Sequence, residues 1–214
     1  MSLLAHALPE YRRWRLRAYE WRYELPVARK VALAVGMAAL AGLSAQVRIP
    51  LSSTPVPITG QVLAALLAGV LLGRFYGGLS QVLYLGLGAA GVPWFNGLTG
   101  GLGVLTGVTG GYLIGMALAA AFIGYVNDRY VRVRSFWGQL VLMLIGVGII
   151  YVCGAIQVAV VLGVGPGKAI AFGVLPFVIP DLVKALIAAS VATALLPKSS
   201  YNGEVDAARF PRAD

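Results

Sequence analysis

The chain has 214 residues, 59% of them hydrophobic and 12% charged, with a mean hydropathy of +0.82; a soluble domain carries about a quarter charged residues. Its formal net charge is +9, from 17 Lys and Arg against 8 Asp and Glu. These values exclude a soluble domain, a nucleic-acid binder included, and predict an all-α polytopic membrane protein whose basic residues mark the cytoplasmic side.

Residues 1–30 interleave Arg12, Arg13, Arg15, Arg17, Arg22, Arg29 and Lys30 with Trp14, Tyr19, Trp21 and Tyr23. This composition predicts a cytoplasmic interfacial helix, its bases at anionic lipid headgroups and its tryptophans at the boundary. The chain's single histidine, His6, falls here and is read as solvated. A first span over 31–47 carries two small-residue ladders, Ala28, Ala32, Gly36 and Ala34, Ala38, Gly42. Either is a flat face on which another helix can dock, inside the protein or outside it. Pro50, Pro55 and Pro57 then forbid a continuous helix and predict a structured extramembrane loop.

Two apolar runs, 59–73 and 76–90, are split by Arg74 and read as a helical hairpin with a cytoplasmic tip. Residues 91–111 contain eight glycines and no charge. So much glycine is poor helix material. The stretch reads as a loop folded back at membrane depth, where backbone is tolerated only if protein buries it or it lines a cavity. Trp94, Phe95 and Asn96 would face that cavity. A span over 112–126, a basic loop over 127–134, a span over 136–162 and a sixth over 169–196, interrupted by Pro176 and Pro180, follow. The six-helix membrane domain is 31–196, and 197–214 is a polar cytoplasmic tail. On this arrangement fourteen Lys and Arg lie on the side of the termini and only Arg48 and Lys168 on the other, which predicts both termini inside.

Asp181 and Lys184 are a carboxylate and an ammonium three residues apart on one face of the sixth span, in its outer half. Such a buried pair costs more to desolvate than it returns, so a ligand-binding role is favoured over mutual neutralisation. Asn96 reads either as a ligand contact or as an interhelical hydrogen bond, and Trp94 as a pocket wall or an interface anchor. Tyr112 is a core aromatic or a pocket wall. Gln61, beside the proline-rich loop, divides evenly between the two roles. Cys153, the chain's one cysteine, forms no internal disulfide or thiol cluster. No metal site is expected.

Three motifs in order carry a resemblance: Pro55-Val56-Pro57-Ile58-Thr59-Gly60-Gln61, Gly91-Val92-Pro93-Trp94-Phe95-Asn96 leading through Gly100-Gly101 to Gly107-Val108-Thr109-Gly110-Gly111-Tyr112, and Pro180-Asp181-Leu182-Val183-Lys184-Ala185. They resemble the BioY family, the biotin-specific S components of energy-coupling factor (ECF) transporters, although the family usually has proline at Val108. The resemblance implies a six-helix S-component fold in the cell membrane, its glycine-rich loop capping an outward-facing pocket. It also implies capture of biotin from outside, with Asn96, Asp181 and Lys184 as polar contacts.

Biotin's ureido ring has two N–H donors and a carbonyl acceptor, which a carboxylate and an ammonium or amide can meet. Trp94, Phe95 and Tyr112 would cover the apolar ring and chain. The valerate carboxylate is expected near backbone N–H groups of the glycine-rich loop, with the reverse orientation onto Lys184 as the alternative. The resemblance further implies a membrane coupling protein and two ATPase subunits, docked at Ala34 and Ala38, or solitary function. No GxxxxGK[ST] loop occurs, so ATP would be used by partner subunits and this chain needs no cofactor. An ion-coupled biotin transporter using Asp181, and an S component for another vitamin, are the alternatives. An intramembrane enzyme is disfavoured by the lack of HExxH or of histidine in any span.

Overall fold

The computed structural model describes residues 2–212, with side chains from Pro9 onward, so the reading of His6 lies outside the described side chains. In chain order the elements are α1 (Ser2–Glu24), α2 (Val27–Gln46), β1 (Arg48–Ile49), β2 (Ile58–Thr59), α3 (Gln61–Ala89), α4 (Leu102–Thr106), α5 (Gly110–Arg129), α6 (Phe136–Leu162), α7 (Pro166–Gly173) and α8 (Val178–Leu195). Among the described residues, five segments are long and apolar enough to cross a membrane: α2, α3, α5, α6 and the α7–α8 stretch Pro166–Leu195.

The packing is inverted relative to a soluble protein. Leu43, Val160 and Ile179 are 69%, 76% and 77% exposed, while Gln61, Gln81, Asn127, Gln139 and Asp181 are buried. An outer surface this apolar calls for hydrocarbon rather than water as its solvent.

The segment α3 is a hairpin of two arms, as its split apolar pattern predicts. Gly73 has φ 74° and ψ −174°, a conformation that favours glycine, and reverses the chain there. The arms then run back along each other: Gln61 Nε2 donates to the Tyr84 hydroxyl at 2.6 Å, across 23 positions. A side chain at Gly77 would strike the Ala68 carbonyl oxygen, so only glycine permits the arms to lie this close. Asp128, at the end of α5, clasps the turn by accepting from the Arg74 N–H at 3.0 Å.

Between α2 and the hairpin, Arg48 pairs with Thr59 and Ile49 with Ile58 in a short antiparallel ladder that closes the proline-rich loop. Thr54 of that loop donates to the Phe172 carbonyl at 2.8 Å and so ties it to α7. The last apolar stretch breaks at Val174 and passes through a 3-10 turn, Leu175–Phe177, which holds Pro176. Pro180 does not interrupt a helix as expected. It sits in the first turn of α8, where its missing N–H has no intrahelical partner to lose.

The opposite, basic end holds α1, the hairpin tip, the 3-10 turn Val131–Arg134 and the C-terminal segment. The polar tail is anchored there by a buried core. Arg134, fully buried, donates to Glu204 Oε1 at 2.8 Å, to the Tyr19 hydroxyl at 2.7 Å and to the Asn127 carbonyl at 2.8 Å. Glu204 also accepts from the Ser200 hydroxyl and from the N–H groups of Tyr201 and Asn202. Burial alone would raise its carboxyl pKa, but the Ser200, Arg134 and backbone donors outweigh that and hold it down at about 2.

Candidate functional site

At the end away from the basic cluster, a cavity of about 200 Å³ lies between the two loops, the first hairpin arm, α5, α6 and α8. Its polar centre comes from α8. Because α8 starts at Val178, Asp181 and Lys184 fall in its first two turns and project on one face. Lys184 Nζ donates to Asp181 Oδ1 at 2.7 Å, with side-chain exposures of 14% and 5%. The other oxygen, Oδ2, accepts from the Tyr151 hydroxyl at 2.9 Å, delivered from α6.

The glycine-rich loop supplies the facing wall. Its chain doubles back through a Phe95–Thr99 bridge, and Gly101 N–H donates to the Gly88 carbonyl at 2.7 Å. Phe95 is thereby buried against Tyr84, ring centroids 5.3 Å apart, and it lines the cavity with Asn96. Among the described residues, the buried Asn96 Oδ1 has no hydrogen-bond partner. An acceptor left so costs about 1–3 kcal/mol, which a donating ligand would remove.

Tyr112 forms part of the α5 wall, and its hydroxyl donates to the Gly173 carbonyl at 2.7 Å, capping the broken end of α7. Its ring lies directly on Gly154 of α6, where a side chain would overlap it. Gln61 lines the cavity from the first hairpin arm, held by Tyr84 and by the Thr59 hydroxyl. Phe177, Met116 and Ile150 complete an apolar enclosure around few polar groups, the usual make-up of a small-molecule pocket. Among the described residues no cluster of metal-ligating side chains occurs.

The structure therefore brings together Gln61, Phe95, Asn96, Tyr112, Asp181 and Lys184. Trp94 is not with them. Its β-carbon rests on Gly42 of α2, and its Nε1 donates to the Tyr84 carbonyl at 2.9 Å, so it anchors the loop from behind the wall. Neighbours in an extended loop point to opposite sides, which is why Phe95 enters the cavity and Trp94 leaves it.

Ala34 and Ala38 also differ from expectation. Both are fully buried, on the face of α2 that packs on the hairpin, so they cannot meet another protein. The ladder of Ala28, Ala32 and Gly36 is the exposed one. Tyr151 and Gln157 were not singled out from the sequence. Gln157 Nε2 donates to the Leu105 and Gly107 carbonyls at 2.7 Å each and seats the glycine-rich loop. The signal was available: both are polar side chains in the apolar run of α6, and such groups turn inward in a membrane.

A family model described as "BioY family" matches residues 15–200. A probable biotin transporter BioY from Methanothermobacter thermautotrophicus is 44% identical over 151 residues, 65% of this chain and 94% of that protein. One from Pyrococcus horikoshii is 38% identical over 168 residues, 78% and 96% of the two chains. The biotin transporter BioY of Thermotoga maritima is 40% identical over 157 residues, 73% and 89%. The crystal structure of the S component for biotin from an ECF-type ABC transporter superposes with a TM-score of 0.73 at 27% identity, covering 78% of this chain and 90% of that one.

Proposed function

The chain belongs to the BioY family, and from that premise we propose that it is the biotin-capturing S component of an ECF-type uptake system in the cell membrane. The observation that carries the reading is the pairing of an unpartnered Asn96 oxygen with the Asp181–Lys184–Tyr151 array across one cavity. Biotin's ureido head brings what these groups lack: two N–H donors for Asn96 and Asp181, and a carbonyl that the Lys184 ammonium can meet. Phe95, Tyr112 and Phe177 enclose the apolar ring and chain. The valerate carboxylate points to the glycine-rich loop, near Thr109 and Gly107.

The pocket end faces outside and the basic end, with both termini, faces the cytoplasm, in keeping with the distribution of Lys and Arg. With the α3 arms counted separately, six segments cross. The chain performs no chemistry on biotin. Release to the inside is driven by a membrane coupling protein and two ATPase subunits, which meet the exposed Ala32 and Gly36 face of α2. Isothermal titration of detergent-purified protein tests the capture: biotin binds saturably at one site and thiamine and riboflavin do not. Binding of another vitamin in place of biotin would overturn the specificity.

A further inference from the structure

At the basic end, a second groove of about 150 Å³ lies between the α1–α2 junction, the hairpin tip and the end of α5. We propose that it is a binding site for the headgroup of an anionic phospholipid. Three cations and one carboxylate line it. The carboxylate is already engaged: Asp128 Oδ1 takes Arg22 at 2.6 Å, and Oδ2 takes the Arg74 N–H at 3.0 Å. That pairing neutralises Arg22 and leaves two positive charges, Lys30 and Arg74, facing the groove.

Lys30 is held in place by donating to the Tyr23 carbonyl at 2.7 Å, which uses one of its three donors, and its ammonium lies 5.9 Å from the Tyr76 ring centre. The Arg74 guanidinium has no partner among the described residues. The two cations can therefore grip a phosphate together.

The remaining walls distinguish a lipid from a free anion. Leu33 and Phe75, which line the groove, are 38% and 68% exposed on the apolar outer surface. The groove therefore runs from a cationic head to an open hydrocarbon-facing side. An inorganic anion would satisfy the charges and leave these side chains uncovered; an acyl chain covers them. Basic pockets between helices at the cytoplasmic surface hold anionic lipid headgroups by this combination. The groove lies at the opposite end from the biotin cavity and shares no lining residue with it.

The test is thermal unfolding of the full chain, delipidated in neutral detergent, with phosphatidylglycerol, phosphatidylcholine or inorganic phosphate added. Phosphatidylglycerol is expected to raise Tm by about 3–5 °C over phosphatidylcholine at about tenfold its Kd. Lys30→Gln/Arg74→Gln is expected to lose at least half of that difference, and the exposed single change Arg74→Gln to lose part, while both bind biotin like the unaltered chain. Arg13→Gln/Arg17→Gln, on the exposed face of α1, is expected to keep it.

Equal shifts with both lipids would overturn the proposal; that is also the outcome if an acidic segment of a partner protein is the natural occupant. A shift reproduced by inorganic phosphate would replace the lipid by a free anion. Retention of the difference in Lys30→Gln/Arg74→Gln, with loss in Arg13→Gln/Arg17→Gln, would reduce it to diffuse attraction by α1.

Discussion

The Tyr151 hydroxyl and the Asp181 carboxylate meet at 2.9 Å, on the oxygen that Lys184 does not take. Tyr151 thus fixes the plane of a carboxylate that lines the cavity. Tyr151→Phe removes that constraint without removing charge. Biotin affinity by titration calorimetry should fall about tenfold, or about 1.4 kcal/mol. An unchanged Kd would mean that Lys184 alone orients the carboxylate.

Asp181→Ala strands the Lys184 ammonium in a largely buried place, and Lys184→Ala does the reverse. Breaking a buried pair from one side costs about 3–5 kcal/mol, whereas removing both partners costs much less. Each single variant should therefore lose more thermal stability than Asp181→Ala/Lys184→Ala, and all three should lose biotin binding. Additive losses in the double variant would show that the two residues act independently.

Gly154 supports the Tyr112 ring, and an added methyl would overlap it. Gly154→Ala should displace that ring from the α5 wall, costing about 1–3 kcal/mol of stability and weakening biotin binding. Tyr112→Leu introduced beside it should relieve the overlap and recover part of the stability, less the lost hydrogen bond to Gly173, but not the binding. Thermal unfolding and titration of the two variants separate these effects.

Glu204 has its carboxyl pKa lowered from 4.5 to about 2 in the folded chain. A depressed pKa means that the folded state binds the proton less well than the unfolded one, so the stabilisation is fully present above pH 4.5 and lost as pH falls toward 2. Allowing for solvent screening, it amounts to about 1–2 kcal/mol. Tm should drop over that window, and Glu204→Gln should show a shallower drop from a lower starting value at pH 7.

Gly36 lies on the open face of α2 and Ala34 on the closed one. Gly36→Trp should leave the isolated chain folded and biotin-binding but abolish co-purification with the proposed coupling and ATPase subunits. Ala34→Trp should fail earlier, by overpacking α2 against the hairpin. Retention of the complex by Gly36→Trp would move the docking face elsewhere.

Much of this is legible along the chain because the membrane makes the rules severe. Arg74 between two apolar runs marks the hairpin tip, and Asp181 with Lys184 on one face marks the polar centre of the cavity. What escapes is set by rotation and by distance. The two small-residue ladders of α2 are equivalent as spacings, and only packing on the hairpin tells the buried one from the open one. Trp94 and Phe95 are adjacent and chemically alike, so the direction of the loop decides between them. Arg134 and Glu204 are 70 positions apart in segments that look like solvated charge, and no local pattern joins them.

The Asp181–Lys184 pair has a consequence for energetics across the membrane. Its two formal charges cancel, so moving the polar centre within the bilayer does no electrical work against the membrane voltage. An isolated carboxylate there would gain or lose about 2.3 kcal/mol per 100 mV for a complete crossing. Because the pair is self-neutral, the membrane voltage does no net work on the pocket's own charges, and a voltage dependence of biotin binding would report the ligand's own carboxylate or charges elsewhere in the chain.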